Sequence, residues 1–158
     1  MWSDKSGMTP EQYTEKARKY CAYRERCSSE VVARLRQMGA GKALRQQIIE
    51  RLKEEGFVDD QRFAGLYARG KFRNNQWGKV KIKAELLARG IDEGSITKAL
   101  SEIDPQQYSD TLFTVLTKKY RSTREKNPEN AEDRTAAYAI QKGYEPGLVW
   151  QSLKELTT

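Results

Sequence analysis

The residue types that most often perform chemistry are scarce in this sequence. It contains no histidine in 158 residues, so it lacks both the commonest general base and the commonest zinc ligand. The two cysteines, Cys21 and Cys27, are too few for a four-sulfur metal site and are not spaced as a CxxC pair. We therefore expect reduced thiols, no cofactor and no metal centre.

One group of carboxylates has the composition of a metal-dependent nuclease site. Asp59 and Asp60 are adjacent, and Glu54 and Glu55 precede them closely, which would allow acidic oxygens to hold a catalytic metal ion. The same aspartates follow Gly56, however, and an aspartate after a glycine stop is typical of a helix cap. We favour the cap and keep the nuclease as a competing hypothesis.

Positive charge is concentrated in the middle of the chain. The whole sequence has a formal net charge of +7, and residues 62–90 alone hold eight basic residues against one acidic residue, Glu85. Residues 1–61 carry +2, whereas residues 91–158 carry −2. A basic segment between nearly neutral flanks is typical of a surface that binds a polyanion, although a solvated helix face has the same composition.

Helical spacing places several of the basic residues on one side of a predicted helix. On one predicted helix, Arg62, Arg69 and Arg73 fall within a narrow arc, where planar guanidinium groups can each hold a phosphate through two hydrogen bonds. The core side of this helix is expected to include Leu66. Trp77 lies in the predicted turn to the next helix, where it either fills the corner between the helices or contacts a ligand. The predicted contact residues are Arg62, Arg69, Lys71, Arg73, Trp77, Lys79, Lys81, Lys83 and Arg89.

Breakers and caps divide the chain into nine predicted helices, and no stretch alternates as a strand does. Thr9 begins a capping box, Gly90 is expected to end a helix in the left-handed conformation, and Gly143 is expected to end another helix. Residues 121–127 are highly charged and are predicted to form a flexible loop. These features predict an all-α protein.

The predicted helices repeat in groups of three. When Gly90 is aligned with Gly143, the apolar positions that follow also align, for example Ile96 with Val149. Each group is too small to bury a full core alone, so we expect helix-turn-helix-like repeats that share their cores in an elongated, curved arrangement. The predicted units are a first repeat at residues 9–56, a second, basic repeat at residues 57–103 and a third at residues 104–157.

Three blocks of sequence resemble a known family. They read RCSSEV at residues 26–31, EGFVDDQRFA at residues 55–64 and WGKVKIK at residues 77–83. These blocks resemble the RecX family of bacterial recombination regulators, and the similarity extends from about Ala17 to Leu156. The resemblance implies three tandem three-helix units in a curved molecule. Among the basic residues, Arg62, Lys79, Lys81, Lys83 and Arg89 match basic positions of the family.

The resemblance also implies a non-enzymatic role. Members of the family are expected to bind filaments of the RecA recombinase on DNA and to restrain strand exchange and coprotease activity. We accordingly expect two partners, a RecA-type recombinase filament and single- or double-stranded DNA bound without sequence specificity. A stand-alone helical module that binds DNA or RNA without a recombinase is the second hypothesis.

The remaining expectations concern location and assembly. The amino-terminal residues lack the apolar segment of a secretion signal, and no apolar run is long enough to span a membrane. We therefore expect a cytoplasmic protein with no membrane partner. We also expect a monomer.

Overall fold

The computed structural model of the protein describes residues 7–158, and all regular structure in that range is helical. This confirms the predicted all-α class. The α-helices are α1 (Pro10–Tyr23), α2 (Ser28–Gln37), α3 (Lys42–Glu54), α4 (Asp60–Asn75), α5 (Lys79–Ala88), α6 (Glu93–Ser101), α7 (Pro105–Lys126), α8 (Ala131–Gln141) and α9 (Pro146–Thr157). A short 3-10 turn at Pro128–Asn130 precedes α8. None of these helices is both long and apolar enough to cross a membrane.

Short-range side-chain chemistry determines where the helices begin. Thr9 and Gln12 form the predicted capping box at the start of α1. The side chains of Asp59, Asp92 and Asp104 each accept a hydrogen bond from the backbone N–H three residues further on, at 3.0, 2.9 and 2.9 Å. These bonds satisfy N–H groups that have no partner inside the helix. The helix cap predicted at Asp59 or Asp60 is therefore confirmed, and Asp59 is the residue that forms it.

Two aligned glycines end helices as the repeat pattern predicts. Gly90 follows α5 with a φ of +76°, and Gly143 follows α8 with a φ of +107°. Both values lie in the left-handed region, where a side chain at Cβ is strained. The expected left-handed stop at Gly90 is confirmed, and the helix end expected at Gly143 has the same conformation.

The loop predicted at residues 121–127 is wrong. Helix α7 continues through this segment and ends at Lys126. The segment contains no glycine or proline before Pro128, and its two arginines, its lysine and its glutamate are good helix formers. Because Thr123 is buried and α7 packs along α8, tertiary contact also stabilises this part of the helix.

The expected core position at Leu66 is also wrong, because its side chain is 44% exposed. The buried side of α4 instead uses Ala64, Ala68 and Phe72, which are spaced four residues apart. Four-residue spacing places these three side chains on one face of the helix. Leu66 lies on the opposite side.

The chain folds into two compact units. The first contains the described residues up to Ala64 together with Arg89–Ile91. Its core consists of Tyr13, Ala17, Cys21, Val31, Leu35, Ala40, Leu44, Ile48, Ile49, Leu52 and Val58. Both cysteines are free and buried in this unit, and burial raises the pKa of each thiol.

The second unit contains Gly65–Ala88 and Asp92–Thr158. Helix α7 packs against α8 and α9, and its Leu112 and Leu116 are fully buried. The division into three repeats with boundaries near residues 56 and 103 stays a prediction.

Two glycines bring the start of α5 onto the turn between α8 and α9. The backbone N–H of Gly78 donates to the carbonyl of Lys142 at 2.9 Å, and that of Val80 donates to the carbonyl of Gly143 at 2.9 Å. A Cβ atom on Gly78 would collide with the backbone of Gly143 and Tyr144. The two backbones can therefore meet only because neither position carries a side chain.

We predict that Gly78→Ala destabilises the protein by about 1–3 kcal/mol or more, because an added methyl group has to push the two backbone segments apart. Urea unfolding followed by circular dichroism measures the effect. The matched control is Gly70→Ala, since Gly70 lies inside α4 with no atom within 4 Å of the new methyl position. The control should stabilise the helix by about 0.5–1 kcal/mol. Equal unfolding midpoints for Gly78→Ala and the unsubstituted protein would contradict the prediction.

Candidate nucleic-acid interface

The turn between α4 and α5 is held by backbone bonds and by one tyrosine. The N–H of Gln76 donates to the carbonyl of Phe72 at 3.0 Å, and that of Trp77 donates to the carbonyl of Lys71 at 3.1 Å. The hydroxyl of Tyr144 donates to the carbonyl of Gln76 at 2.9 Å. The position of Trp77 is therefore fixed by bonds on both sides of the turn.

A buried phenol connects the first turn of α5 to the third predicted repeat. The backbone N–H of Lys79 donates to the hydroxyl oxygen of Tyr108 at 2.9 Å, and this hydroxyl in turn donates to the carboxylate of Glu145. Burial, and then the hydrogen bond to Glu145, raise the pKa of Tyr108 well above its ordinary value. The phenol therefore stays protonated at neutral pH and serves as both acceptor and donor.

The ring of Tyr108 packs against two other aromatic rings. The ring centroids of Phe72 and Tyr108 are 5.7 Å apart, and those of Tyr108 and Tyr144 are 5.2 Å apart. These distances are typical of favourable aromatic pairs. The Nζ atom of Lys79 lies 4.8 Å from the Tyr108 centroid, so the same ring also attracts this cation.

Two lysines contact the ring of Trp77. The Nζ atoms of Lys71 and Lys81 lie 4.8 and 4.3 Å from the centroid of the Trp77 ring. Tyr67 meets the indole edge to face with a centroid distance of 6.4 Å. Cation–π attraction of this kind contributes about 0.5–1 kcal/mol per contact at exposed sites. The half-buried indole thus has ring and cation partners within the chain, as expected of a residue that fills the corner of the turn.

Arg69 and Arg73 lie on α4, shortly before the turn. Both are exposed, and they border a groove of about 350 Å³ that is also lined by Glu102, Asp104 and Asp110. The groove therefore has both signs of charge. These carboxylates are about thirty residues away in sequence, so the charge count of residues 62–90 did not include them.

Three of the predicted contact residues lie neither beside Trp77 nor in the groove of mixed charge. Arg62 lies in the first unit and binds Glu25 through its Nη2 and Nε atoms at 2.8 and 3.0 Å, and this carboxylate raises the pKa of the guanidinium. Lys83 is exposed, with its Nζ atom 4.0 Å from a carboxylate oxygen of Glu93. Arg89 is half-buried and lines a groove of about 840 Å³ in the first unit.

The other predicted cations lack a carboxylate partner in the described chain. Within residues 7–158, no carboxylate oxygen lies within 4.0 Å of their charged nitrogens. The unpaired cations are Arg69, Lys71, Arg73, Lys79 and Lys81. Because no ion pair has to be broken first, these five side chains are the most available for phosphate groups.

The carboxylates of the nuclease hypothesis contribute to the fold. Asp60 accepts a hydrogen bond from the backbone N–H of Ser28 at 2.7 Å. Glu55 accepts from Arg18 at 2.9 Å and from Arg51 at 3.3 Å, and the hydrogen bonds from Arg18 are the main reason that the pKa of Glu55 is lowered. Among residues 7–158, no three potential metal ligands come together.

Sequence reasoning missed the residues that support the basic turn. Tyr108, Tyr144 and Glu145 hold Lys79 and Gln76 in place from positions about thirty to seventy residues further along the chain. The alignment of Gly143 with Gly90 marks the turn that carries two of these residues, but it contains no sign of the contact with α5.

Comparison with protein families identifies related domains. A family model described as RecX, second three-helix domain, matches residues 59–100, and another described as RecX, third three-helix domain, matches residues 106–153. Together the two matches cover more than half of the chain.

Individual relatives agree with this result. The chain is 30% identical over 137 residues to "Regulatory protein RecX" of Bacillus cytotoxicus, covering 87% of this chain and 51% of that protein. It is 27% identical over 139 residues to the protein of the same name from Oceanobacillus iheyensis, with coverage of 88% and 51%. The chain thus spans about half the length of these curated relatives.

A solved structure shares the fold. The crystal structure of RecX from Lactobacillus salivarius matches with a TM-score of 0.84 and 21% identity, covering 94% of this chain and 96% of that chain.

We predict that Tyr108→Phe destabilises the protein by about 1–3 kcal/mol, because it leaves the N–H of Lys79 and the carboxylate of Glu145 without their shared partner. Urea unfolding is the measurement. The matched control is Tyr138→Phe, which removes a hydroxyl from a tyrosine that is 38% exposed and should change stability by less than about 0.5 kcal/mol. If both variants unfold alike, the bridging role of Tyr108 is refuted.

Proposed function

The chain belongs to the RecX family, and on that basis we propose that it binds RecA-type recombinase filaments on DNA and restrains their activity. The proposed role is regulatory and not enzymatic. The observation that carries the proposal is the group of five unpaired cations around the α4–α5 turn, which we call the basic turn surface. It consists of Arg69, Lys71, Arg73, Lys79 and Lys81.

The composition of this surface supports contact with the phosphate backbone. Arginine and lysine side chains supply the electrostatic part of nucleic-acid binding, which does not depend on sequence. The rings of Trp77 and Tyr108 hold three of the lysines near the surface. DNA without a preferred sequence, single- or double-stranded, fits such a surface.

The neighbouring groove supports a protein partner as well. Arg69 and Arg73 share this groove with Glu102, Asp104 and Asp110, so the groove offers both signs of charge to a protein partner. A filament presents protein and nucleic acid side by side. A surface that combines unpaired lysines with a groove of mixed charge suits that partner better than it suits nucleic acid alone.

We predict that the protein binds recombinase-coated single-stranded DNA more tightly than the same DNA without recombinase. On bare DNA, phosphate contacts by three to five cations give a slope of log affinity against log salt of about −2 to −3.5. Fluorescence anisotropy over a series of salt concentrations measures both quantities. Equal affinity for bare and coated DNA would instead indicate a stand-alone nucleic-acid-binding module.

We predict that Lys71→Gln, Arg73→Gln and Lys81→Gln together abolish inhibition of recombinase ATP hydrolysis on single-stranded DNA. Loss of three phosphate contacts should also reduce the size of the salt slope by about 2. Helical content by circular dichroism should be unchanged, because surface substitutions typically shift stability by under about 0.5 kcal/mol each.

The matched control replaces Lys16, Lys19 and Lys53 with glutamine. These lysines are exposed in the first unit, and the control has the same net charge as the test variant. It should inhibit the recombinase as the unsubstituted protein does. If the two triple variants inhibit equally well, the basic turn surface is not the functional contact.

A further inference from the structure

A second basic groove lies between α7 and α8. It has a volume of about 370 Å³. Helix α7 contributes Lys119 and Lys126, seven residues apart, and α8 contributes Arg134 and Tyr138, four residues apart. These spacings place each pair on one face of its helix. Hydroxyl and amide side chains fill most of the remaining lining.

The groove is basic although this part of the chain is acidic overall. Residues 91–158 have a net charge of −2, yet no aspartate or glutamate lines the groove. In the part of the chain that the structure describes, no carboxylate lies within 4.0 Å of the charged groups of Lys119, Lys126, Arg134 or Lys142. The lining of the groove itself is therefore positively charged.

An exposed aromatic ring lies between two of these cations. Tyr138 is 38% exposed, and the Nζ atoms of Lys119 and Lys142 lie 4.6 and 5.6 Å from its ring centroid. The same combination occurs at Trp77, which has Lys71 and Lys81 beside it. Tyr138 differs in being more exposed than the half-buried Trp77, so its ring has more surface open to a ligand.

We infer that the α7–α8 groove is a second nucleic-acid contact, which takes a single strand with its phosphates on the cations and a base on Tyr138. An aromatic ring flanked by cations is the usual combination for single strands, since each base presents a face that can stack. Duplex bases are already stacked on one another. The inference rests on the proposed function for its class of ligand, but it concerns other residues.

The test uses the full chain and fluorescein-labelled oligo(dT), with binding followed by anisotropy at several salt concentrations. Lys119→Gln with Lys126→Gln should weaken binding about fivefold or more and reduce the size of the salt slope by about 1.4, the value for two lost contacts on a single strand. The matched control is Lys118→Gln with Arg121→Gln, which removes the same charge from the same helix outside the groove. The control should bind as the unsubstituted protein does.

The aromatic part of the inference is tested separately. Tyr138→Ala should weaken oligo(dT) binding about fivefold or more, whereas Tyr138→Phe keeps the ring and should retain the affinity. Circular dichroism checks that each variant is folded. If the α7 pair fails to fold, Arg134→Gln with Lys142→Gln is the replacement variant, because Arg134 lines the groove and Lys142 lies beside the Tyr138 ring.

The outcomes separate this inference from the proposed function. If the groove variants bind oligo(dT) normally while the variant of Lys71, Arg73 and Lys81 binds weakly, the inference is wrong and the proposed function stands. If instead the groove variants bind oligo(dT) weakly while the variant of Lys71, Arg73 and Lys81 binds normally, the inference is supported and the basic turn surface is not the contact for DNA. If the groove variants keep their oligo(dT) affinity but no longer inhibit the recombinase, the groove contacts protein and the inference is overturned.

Discussion

The close approach of Gly78 and Gly143 is the constraint on which the basic turn surface depends. At this point the N–H groups of Gly78 and Val80 bond directly to the carbonyls of Lys142 and Gly143, and no side chain separates the two backbones. Direct backbone contact leaves little freedom in the orientation of α5. The directions in which Lys79 and Lys81 leave the helix are consequently determined by residues more than sixty positions further along the chain.

Polar and aromatic contacts of Tyr108 also hold the start of α5 in place. The phenol of Tyr108 satisfies the N–H of Lys79 and binds Glu145, while its ring attracts the Lys79 ammonium. Buried polar groups that are fully hydrogen-bonded make a structure rigid. Cations that are already held in place lose less side-chain entropy when a ligand binds. The protein therefore presents its lysines on a rigid support, in which Trp77 performs for Lys71 and Lys81 the role that Tyr108 performs for Lys79.

The sequence predicted the local features of the fold, which depend on neighbouring residues. It did not predict the features that depend on contacts between residues far apart in the chain. The helix cap at the Asp59–Asp60 pair, the left-handed stop at Gly90 and the helix end at Gly143 were predictable because each depends on a few adjacent residues. The loop at residues 121–127 was wrong because buried contacts extend α7. The ion pair between Arg62 and Glu25, and the acidic lining beside Arg69, join residues that only the fold brings together. The contact residues themselves stay a prediction.

The glycine contact also limits how freely the repeats can be exchanged. Tandem repeats are often regarded as interchangeable modules, because each one contacts its neighbours through adaptable side chains. Here part of the junction is backbone against backbone, so there is no side chain that could adjust to a new neighbour. A chimaera that replaced residues 104–157 with the corresponding segment of a relative would need a glycine where Gly143 now lies. The segments around Gly78 and Gly143 therefore have to be exchanged together, although they are far apart in the chain.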